Sequence, residues 1–247
     1  MAEREKNGLI ISAHADDHMM FAGTVMYYSQ KHGVKFREVV LTDTSVGPDY
    51  REQQVEHSGI TVLRNGELDK ATRFLGIEEV FPQFEPDFFL QFSPQRATKI
   101  AKIIQKFRPD LVILPGTLDK HDDHLAASKI GESAVWRAAG NFPSQDIDMD
   151  LSNPHRVPIV LAAEMMIPDR VGIIYDISEF IERKRQLFDI YASQASPRLK
   201  CYVNGLADAR GYGLDKNERE VARAEGFNSL FRLPIIANGS DISPLLP

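Results

Sequence analysis

Two short polar clusters in the sequence contain residues that could bind a metal ion. The first, "ISAHADDHMMFAG", spans residues 11–23, and the second, "LPGTLDKHDDHLAAS", spans residues 114–128. Four of the seven histidines lie in these clusters, namely His14, His18, His121 and His124. Imidazole nitrogen and carboxylate oxygen together suit zinc, and a catalytic zinc site usually has three protein ligands and one open position. The clusters therefore predict one metal site to which both contribute.

The spacing within each cluster limits how its side chains can be used. His121 and His124 are three residues apart, so on a helix they share one face and project into one pocket. Asp16 and Asp17 are adjacent, and their side chains diverge by about 100° on a helix or about 180° on a strand. We expect one carboxylate to hold the metal and the other to face the substrate. Each cluster alone is also typical of a solvated helix start, and the prediction of a shared site depends on finding both.

The elements around the clusters follow an α/β pattern. "GLIISA" (8–13) and "REVVLTD" (37–43) are typical of buried parallel strands, and "DHMMFAGTVMYYSQKHG" between them has the apolar spacing of a helix. "RPDLVILPG" (108–116) predicts another buried strand, followed by a helix that starts near His121. This alternation predicts a single-domain, Rossmann-like, doubly wound and mostly parallel sheet with helices on both faces. Ligands bind beyond the carboxyl ends of such strands, where both clusters lie.

The last hundred residues are less regular. "PIVLAAEMMI" (158–167) predicts a strand, "EFIERKRQLFDIYASQ" (179–194) predicts a helix, and "EREVARAEGFNSLF" (218–231) predicts a final helix. Trp136, in the helix after the second cluster, is predicted to lie in the core. No stretch has the composition of a domain linker.

Composition excludes several classes of function. The chain has 29 basic and 35 acidic side chains and a net charge of −6, so it lacks the excess of basic residues that is typical of nucleic-acid-binding proteins. No apolar stretch approaches the roughly 20 residues that span a bilayer, so membrane insertion is not expected. The charged start "MAEREKNGLI" and the lone Cys201 favour a cytoplasmic protein. No Gly-x-Gly-x-x-Gly follows the first strand, which argues against dinucleotide binding, and assembly into a homo-oligomer is left open.

Several motifs, in order, resemble those of one enzyme family. "AHADDH" is similar to the "AHPDDE" motif, and "HDDH" to the "HPDH" motif, of the PIG-L/LmbE-like zinc-dependent N-deacetylases. "VLRNGELDKATRFLG" resembles the family's Arg-x-x-Glu helix, "SEFIERKRQLFDIYASQ" its later His-x-Ser-Gln helix, and "RAEGF" its "YAEAF" segment. The likeness runs from about residue 8 to residue 227. It implies that residues 1–247 form one deacetylase domain.

The resemblance also implies a role for each matching residue. The metal, which is zinc in the family, would be held by His14, Asp17 and His124, although such ligands also accept iron or manganese. Asp16 would be the general base, and His121, as a protonated imidazole, would stabilise the tetrahedral oxyanion. Asp123 would orient His121 and keep it charged.

The expected substrate is a small N-acetylated amino sugar or one of its conjugates. Arg64 matches a family arginine on the substrate side of the pocket, and Asp43 and Thr44 follow the second strand where a sugar hydroxyl could bind. His18 replaces the glutamate of the first motif, and it could be a further ligand, a substrate contact or a satisfied helix residue, of which we prefer the last. Tyr191 replaces the histidine of His-x-Ser-Gln.

These departures leave other functions open. The chain could be an amidase or another metal-dependent hydrolase acting on a different small conjugate. It could also be a sugar-binding relative without activity, in which His18 and Tyr191 mark the loss of catalysis. The presence of Asp16 and His121 argues against that second alternative, because binding alone needs neither a base nor an acid.

Overall fold

The computed structural model describes residues 5–51, 56, 59–81, 85–141, 149, 152–214 and 222–230. Seven strands lie in one sheet: β1 Lys6–Ser12, β2 Val34–Val40, β3 Ile77–Phe81, β4 Leu111–Pro115, β5 Ile159–Ala163, β6 Ile173–Asp176 and β7 Ala224–Ser229. Six α-helices are described: α1 Ala22–His32, α2 Ile60–Leu75, α3 Pro94–Phe107, α4 Asp122–Ala138, α5 Ile181–Ile190 and α6 Pro197–Gly211. A short 3-10 turn, Asp17–Met20, comes before α1.

The strand order places the switch of the sheet between β1 and β4. The order is β3-β2-β1-β4-β5-β7-β6, in which β1 to β5 pair in parallel and β7 runs antiparallel to β5 and β6. From β1 the chain proceeds outward through β2 and β3, and it then returns to add β4 and β5 on the other side. The predicted doubly wound, mostly parallel sheet is confirmed. Its ligand-binding crevice is expected beyond the carboxyl ends of β1 and β4.

Alternate side chains of the central strands enter two separate cores. In β1, Ile10 packs with residues of α1 such as Val25, whereas Leu9 belongs to a second core with Ile104 of α3 and Ile130 of α4. The predicted helices on both faces are thus confirmed. Both faces of β1 are covered, which explains its near-continuous run of apolar residues. Each large aliphatic side chain buried in this way contributes about 1.5–3 kcal/mol.

The C-terminal region differs from the sequence prediction. The final helix predicted over 218–231 is wrong, because residues 224–229 form β7 between β5 and β6. The strand β6 and the helix α6 were not predicted. Trp136 is also not a core residue, since it is 55% exposed on α4. The extension of one domain over 1–247 stays a prediction, because residues 231–247 lie outside the described ranges.

Within the described ranges, no helix combines the length and the apolar composition that crossing a bilayer requires.

Candidate metal centre and active site

The loop after β1 is folded back on itself by the side chain of Asp17. Its Oδ2 accepts hydrogen bonds from the backbone N–H groups of Ala13 at 2.7 Å and His14 at 3.0 Å. With Oδ2 used in this way, Oδ1 faces the rings of His14 and His124. The apolar strand therefore ends in a tight turn that presents an imidazole and a carboxylate together.

The start of α4 brings the second cluster to the same place. His121 caps the helix, with its Nδ1 accepting the backbone N–H of Asp123 at 3.3 Å. His124 lies in the first turn of the helix, and its ring centroid is 5.1 Å from that of His14. The two clusters meet at the switch of the sheet, although 110 residues separate these two histidines.

Three side-chain atoms form a nearly equilateral triangle. His14 Nδ1 lies 3.2 Å from His124 Nε2 and 3.5 Å from Asp17 Oδ1, and the third edge, His124 Nε2 to Asp17 Oδ1, is 3.1 Å. A tetrahedral zinc site with ligands at about 2.0–2.1 Å has ligand atoms roughly 3.3 Å apart. The donor set and its spacing therefore fit one zinc-like ion with its fourth position open. All three residues are buried.

Further carboxylates face the outer nitrogens of the two histidines. His14 Nε2 lies 3.2 Å from Asp87 Oδ1 and 3.3 Å from Asp123 Oδ2, and His124 Nδ1 lies 3.0 Å from Asp119 Oδ2. A carboxylate behind a metal-binding imidazole fixes its tautomer and orientation. Asp87 and Asp119 are not predicted from the sequence: Asp87 lies in a loop without any motif, and Asp119 lies within the second cluster but outside its "HDDH" motif.

The carboxylates around the triangle create a negative electrostatic potential that favours the binding of a cation. Burial acts to lower the pKa of His14, but hydrogen bonds to Asp123, Asp17 and Asp87 raise it well above its usual value. Burial likewise opposes the charge of His124, yet Asp17 and Asp119 raise its pKa to about 9. Burial would raise the pKa of Asp17, but the charges and hydrogen bonds of His124 and His14 hold it well below its usual range. Excess negative charge of this kind favours a divalent ion.

Asp16 lines the adjoining cavity and is not part of the triangle. Of the two neighbouring aspartates, Asp17 alone contributes to the triangle. Burial and then the negative charge of Asp17 raise the pKa of Asp16 above its usual value. A carboxylate with a raised pKa that faces a cavity is suited to accept a proton.

His121 also lines the cavity, but its environment differs from the expectation. The carboxylate of Asp123 accepts backbone N–H groups from Phe88 (2.8 Å) and Leu90 (3.2 Å) and faces His14, so the prediction that it orients His121 is corrected. Burial and the charges of His14 and His124 lower the pKa of His121. Because its Nδ1 accepts a backbone N–H, a neutral His121 carries its proton on Nε2.

The four predicted substrate contacts fall into two groups. Thr44 and Arg64 line the cavity, although Arg64 donates hydrogen bonds to the carbonyls of Thr44, Val46 and Pro48 and so supports the loop after β2. Asp43 is not in the cavity wall, because its carboxylate accepts backbone N–H groups of the two adjoining loops. His18 is also outside the wall, with no exposed surface. The expected substrate contact of Asp43 is therefore corrected, as is the substrate contact that was one of the alternatives for His18.

The cavity beside the triangle has a volume of about 300 Å³. Its polar wall carries Asp16, Asp17, Asp87 and the histidines, and Lys120 lies at the same end. The rest of the wall includes the apolar residues Met19, Met20, Met165, Met166 and Leu199 and the polar residues Thr44, Arg64 and Gln194. A volume of this size lies at the lower end of the roughly 300–1,000 Å³ of small-molecule sites.

Residues 9–135 match the model of a family described as PIG-L: GlcNAc-PI de-N-acetylase. The chain belongs to this family. The match covers both candidate metal-binding clusters and the elements from β1 to most of α4, so the family resemblance is confirmed over these residues.

Relatives of the chain within and around the PIG-L family have two kinds of activity. The chain is 22% identical over 240 residues to a 1D-myo-inositol 2-acetamido-2-deoxy-alpha-D-glucopyranoside deacetylase of Mycobacterium sp. (strain KMS), covering 79% of this chain and 76% of the relative. It is 24% identical over 247 residues to a 4-oxalmesaconate hydratase of Pseudomonas putida, covering 92% and 90%. The N,N'-diacetylchitobiose deacetylase from Pyrococcus horikoshii has the same fold, with a TM-score of 0.76, 22% identity and coverage of 94% and 88%.

Two departures from the PIG-L motifs lie against each other. His18 Nε2 is 2.8 Å from the hydroxyl of Tyr191, and this hydroxyl donates to the carbonyl of Ala15 at 2.5 Å. On its other side, His18 Nδ1 lies 3.0 Å from the buried carboxylate of Glu38, which also accepts a hydrogen bond from Ser12. His18 is thus a satisfied interior residue beneath the first motif, the alternative preferred from the sequence. The sequence alone gives no sign that His18 and Tyr191 are in contact.

Proposed function

We propose that this chain is a zinc-dependent N-deacetylase that hydrolyses the acetamide of a small amino-sugar compound. The observation that carries the proposal is the triangle of His14, Asp17 and His124 with the carboxylate of Asp16 beside it in one cavity. Membership of the PIG-L family and the likeness to two deacetylases support the choice of an acetylated amino sugar.

Amide hydrolysis needs help at three points, and the site offers a group for each. Amides are poor electrophiles and neutral water is a poor nucleophile, and a bound zinc ion would supply the Lewis acidity that activates water and polarises the carbonyl. Asp16 takes a proton from the attacking water as its oxygen bonds to the carbonyl carbon. A positioned base contributes typically 10²–10⁴-fold.

His121 and Asp16 then complete the reaction. His121 donates a hydrogen bond from Nε2 to the oxyanion, which needs only its neutral form. Removing one such donor typically costs roughly 2.7–4 kcal/mol. When the carbon–nitrogen bond breaks, Asp16 returns its proton to the departing amine. This sequence replaces the protonated His121 expected from the motif.

A second candidate is a hydratase, in which water adds to a carbon–carbon double bond. It is favoured by the long alignment with the 4-oxalmesaconate hydratase, which spans 92% of this chain. The cavity argues against a substrate with several carboxylates. Among the described residues that line it, Arg64 is already engaged with three carbonyls, and Lys120 is the remaining cationic side chain apart from the histidines.

The two candidates are separated by their products. Purified chain, stripped with a chelator and reloaded with zinc, manganese or iron(II), is incubated with N-acetylglucosamine, its glycosides and 4-oxalmesaconate. We expect zinc-dependent release of acetate and free amine. Consumption of 4-oxalmesaconate without acetate release from any amide would select the hydratase, and no turnover with any metal would overturn both.

The roles of the two adjacent aspartates are tested separately. Asp17→Ala should lose bound zinc, as measured by elemental analysis. Asp16→Asn should retain stoichiometric zinc while kcat falls by about 10²–10⁴-fold. The exposed Asp122, changed to Asn, provides a control of the same charge change in the second cluster. The opposite pattern for Asp16 and Asp17 would mean that their roles are exchanged.

A further inference from the structure

Phe88 lies at the mouth of the cavity in a conformation that costs free energy. Its φ is 67°, in the left-handed region that residues with a side chain rarely adopt. Its backbone N–H donates to the buried carboxylate of Asp123 at 2.8 Å, which holds the chain in this conformation. Strain that is actively maintained at the edge of a site is typical of a binding function.

The result of this conformation is an aromatic ring presented to solvent beside the reacting groups. The ring centroid of Phe88 lies 4.6 Å from that of His121, and the residue is 59% exposed. Two further apolar residues of the cavity wall are exposed at the same mouth, Val46 at 41% and Tyr50 at 52%. We call Val46, Tyr50 and Phe88 the apolar rim.

The apolar rim continues into the apolar wall of the same cavity. Met19, Met20, Met165, Met166 and Leu199 form that wall, and methionine adapts its shape to irregular apolar groups. Hydroxyl groups placed against such a surface would lose hydrogen bonds to water without replacement.

We infer that the apolar rim binds an aryl or alkyl group carried by the substrate, so that the preferred substrate is an amphiphilic glycoside of an N-acetylated amino sugar. The identity of the polar half rests on the proposed function. The apolar half rests on the exposed ring of Phe88 and the continuity of the rim with the cavity. A free sugar or a polyol conjugate would leave the rim in contact with water.

The inference is tested by comparing the phenyl and methyl glycosides of N-acetylglucosamine. Dissociation constants are measured by calorimetry on the zinc-loaded Asp16→Asn chain, so that turnover does not interfere, and kcat/KM is measured on the unaltered chain. We expect the phenyl glycoside to bind at least tenfold more tightly than the methyl glycoside. Phe88→Ala should reduce this ratio to less than threefold.

Phe89 provides the matched control. It is adjacent, 69% exposed and outside the cavity wall, so Phe89→Ala should leave the tenfold ratio in place. Equal affinity for the two glycosides, a ratio that survives Phe88→Ala, or no measurable binding of the phenyl glycoside would each overturn the inference. Tighter phenyl binding that depends on Phe88 but occurs without acetate release would support the apolar site and overturn the deacetylase. Acetate release without a preference for the phenyl glycoside would support the deacetylase and overturn the apolar site.

Discussion

The carboxylate of Asp119 connects two loops at the metal site. Its Oδ1 accepts the backbone N–H of His121 at 2.8 Å, and its Oδ2 accepts that of Met166 at 3.0 Å while facing His124 Nδ1 at 3.0 Å. Asp119→Asn keeps the shape of the side chain but removes the charge behind the imidazole. We expect zinc affinity to fall about 10–100-fold, measured by competition with a chromophoric chelator.

The control for this prediction is Asp122→Asn. Asp122 is exposed on the first turn of α4 and close in sequence to Asp119. It should leave zinc affinity within about twofold. Equal losses in the two variants would mean that the charge of the whole cluster, and not the contact with His124, sets the affinity.

At the residue scale, the sequence predicts the residues that belong to motifs and misses the ones that support them. His14, Asp17 and His124 stand at fixed places in short motifs, and the structure brings them together. Asp119 lies close to His124 in the sequence but outside the motif, whereas Asp87 lies in a loop whose approach to His14 depends on how the strands are ordered. A single sequence carries no pattern for that approach.

Two elements distant in the sequence, β7 and α5, stabilise the turn that contains Asp17 through hydrogen bonds to the start of α1. Both carboxylate oxygens of Glu225 in β7 accept N–H groups at the start of α1, from Gly23 at 3.0 Å and Thr24 at 2.7 Å. Lys184 of α5 donates to Glu225 at 2.6 Å and to the carbonyl of Met20 at 2.8 Å. Both charged side chains are buried.

Removing one partner of this pair should be strongly destabilising. Glu225→Gln leaves Lys184 as a buried charge without its carboxylate, and we expect the free energy of unfolding to fall by about 3–5 kcal/mol in urea denaturation. Glu179→Gln is the control, because the pair of Glu179 with Lys31 is exposed and should contribute no more than about 1 kcal/mol. Similar losses of unfolding free energy in the two variants would show that burial of the Glu225–Lys184 pair does not determine its contribution to stability.

At the element scale, the predictions succeed where one strand or helix has a strong pattern of its own. β1, β4 and α4 have continuous or periodic apolar residues, and the structure contains all three. β7 was predicted as a helix because "VARAEGF" contains charged and helix-favouring residues. Its strand state comes from pairing with β5 and β6, which is a non-local contact.

The helix α6 was missed for a related reason. Its buried residues are Val203, Ala207 and Gly211, which form a narrow and mostly small stripe. A Cβ on Gly211 would clash with the backbone carbonyl oxygen of Ala222, so the close approach of the chain before β7 requires glycine there. Such packing between small residues leaves a weak apolar pattern in the sequence.

For the whole molecule, the order of the strands explains why residues so far apart form one site. β1 and β4 are neighbours at the switch of the sheet, and the segments that follow their carboxyl ends carry the members of the triangle. The loop after β2 provides Thr44, and the loop after β5 provides Met165 and Met166. Under the proposed function, this arrangement would position a metal and water, and the rest of the cavity wall would determine which substrate is presented to them.

Because the triangle joins the loops after β1 and β4, zinc should stabilise the whole fold. A ligand that binds the native state at 100 times its dissociation constant adds about 2.7 kcal/mol, which for a chain of this length raises Tm by roughly 5–10 °C. Binding displaces protons from His14 and His124, so the rise in Tm should be larger at pH 8 than at pH 6. Magnesium, which prefers oxygen ligands, should have little effect. Asp17→Ala should abolish the rise measured by scanning calorimetry, whereas Phe89→Ala should retain it, and a rise that persists without Asp17 would show that zinc binds elsewhere.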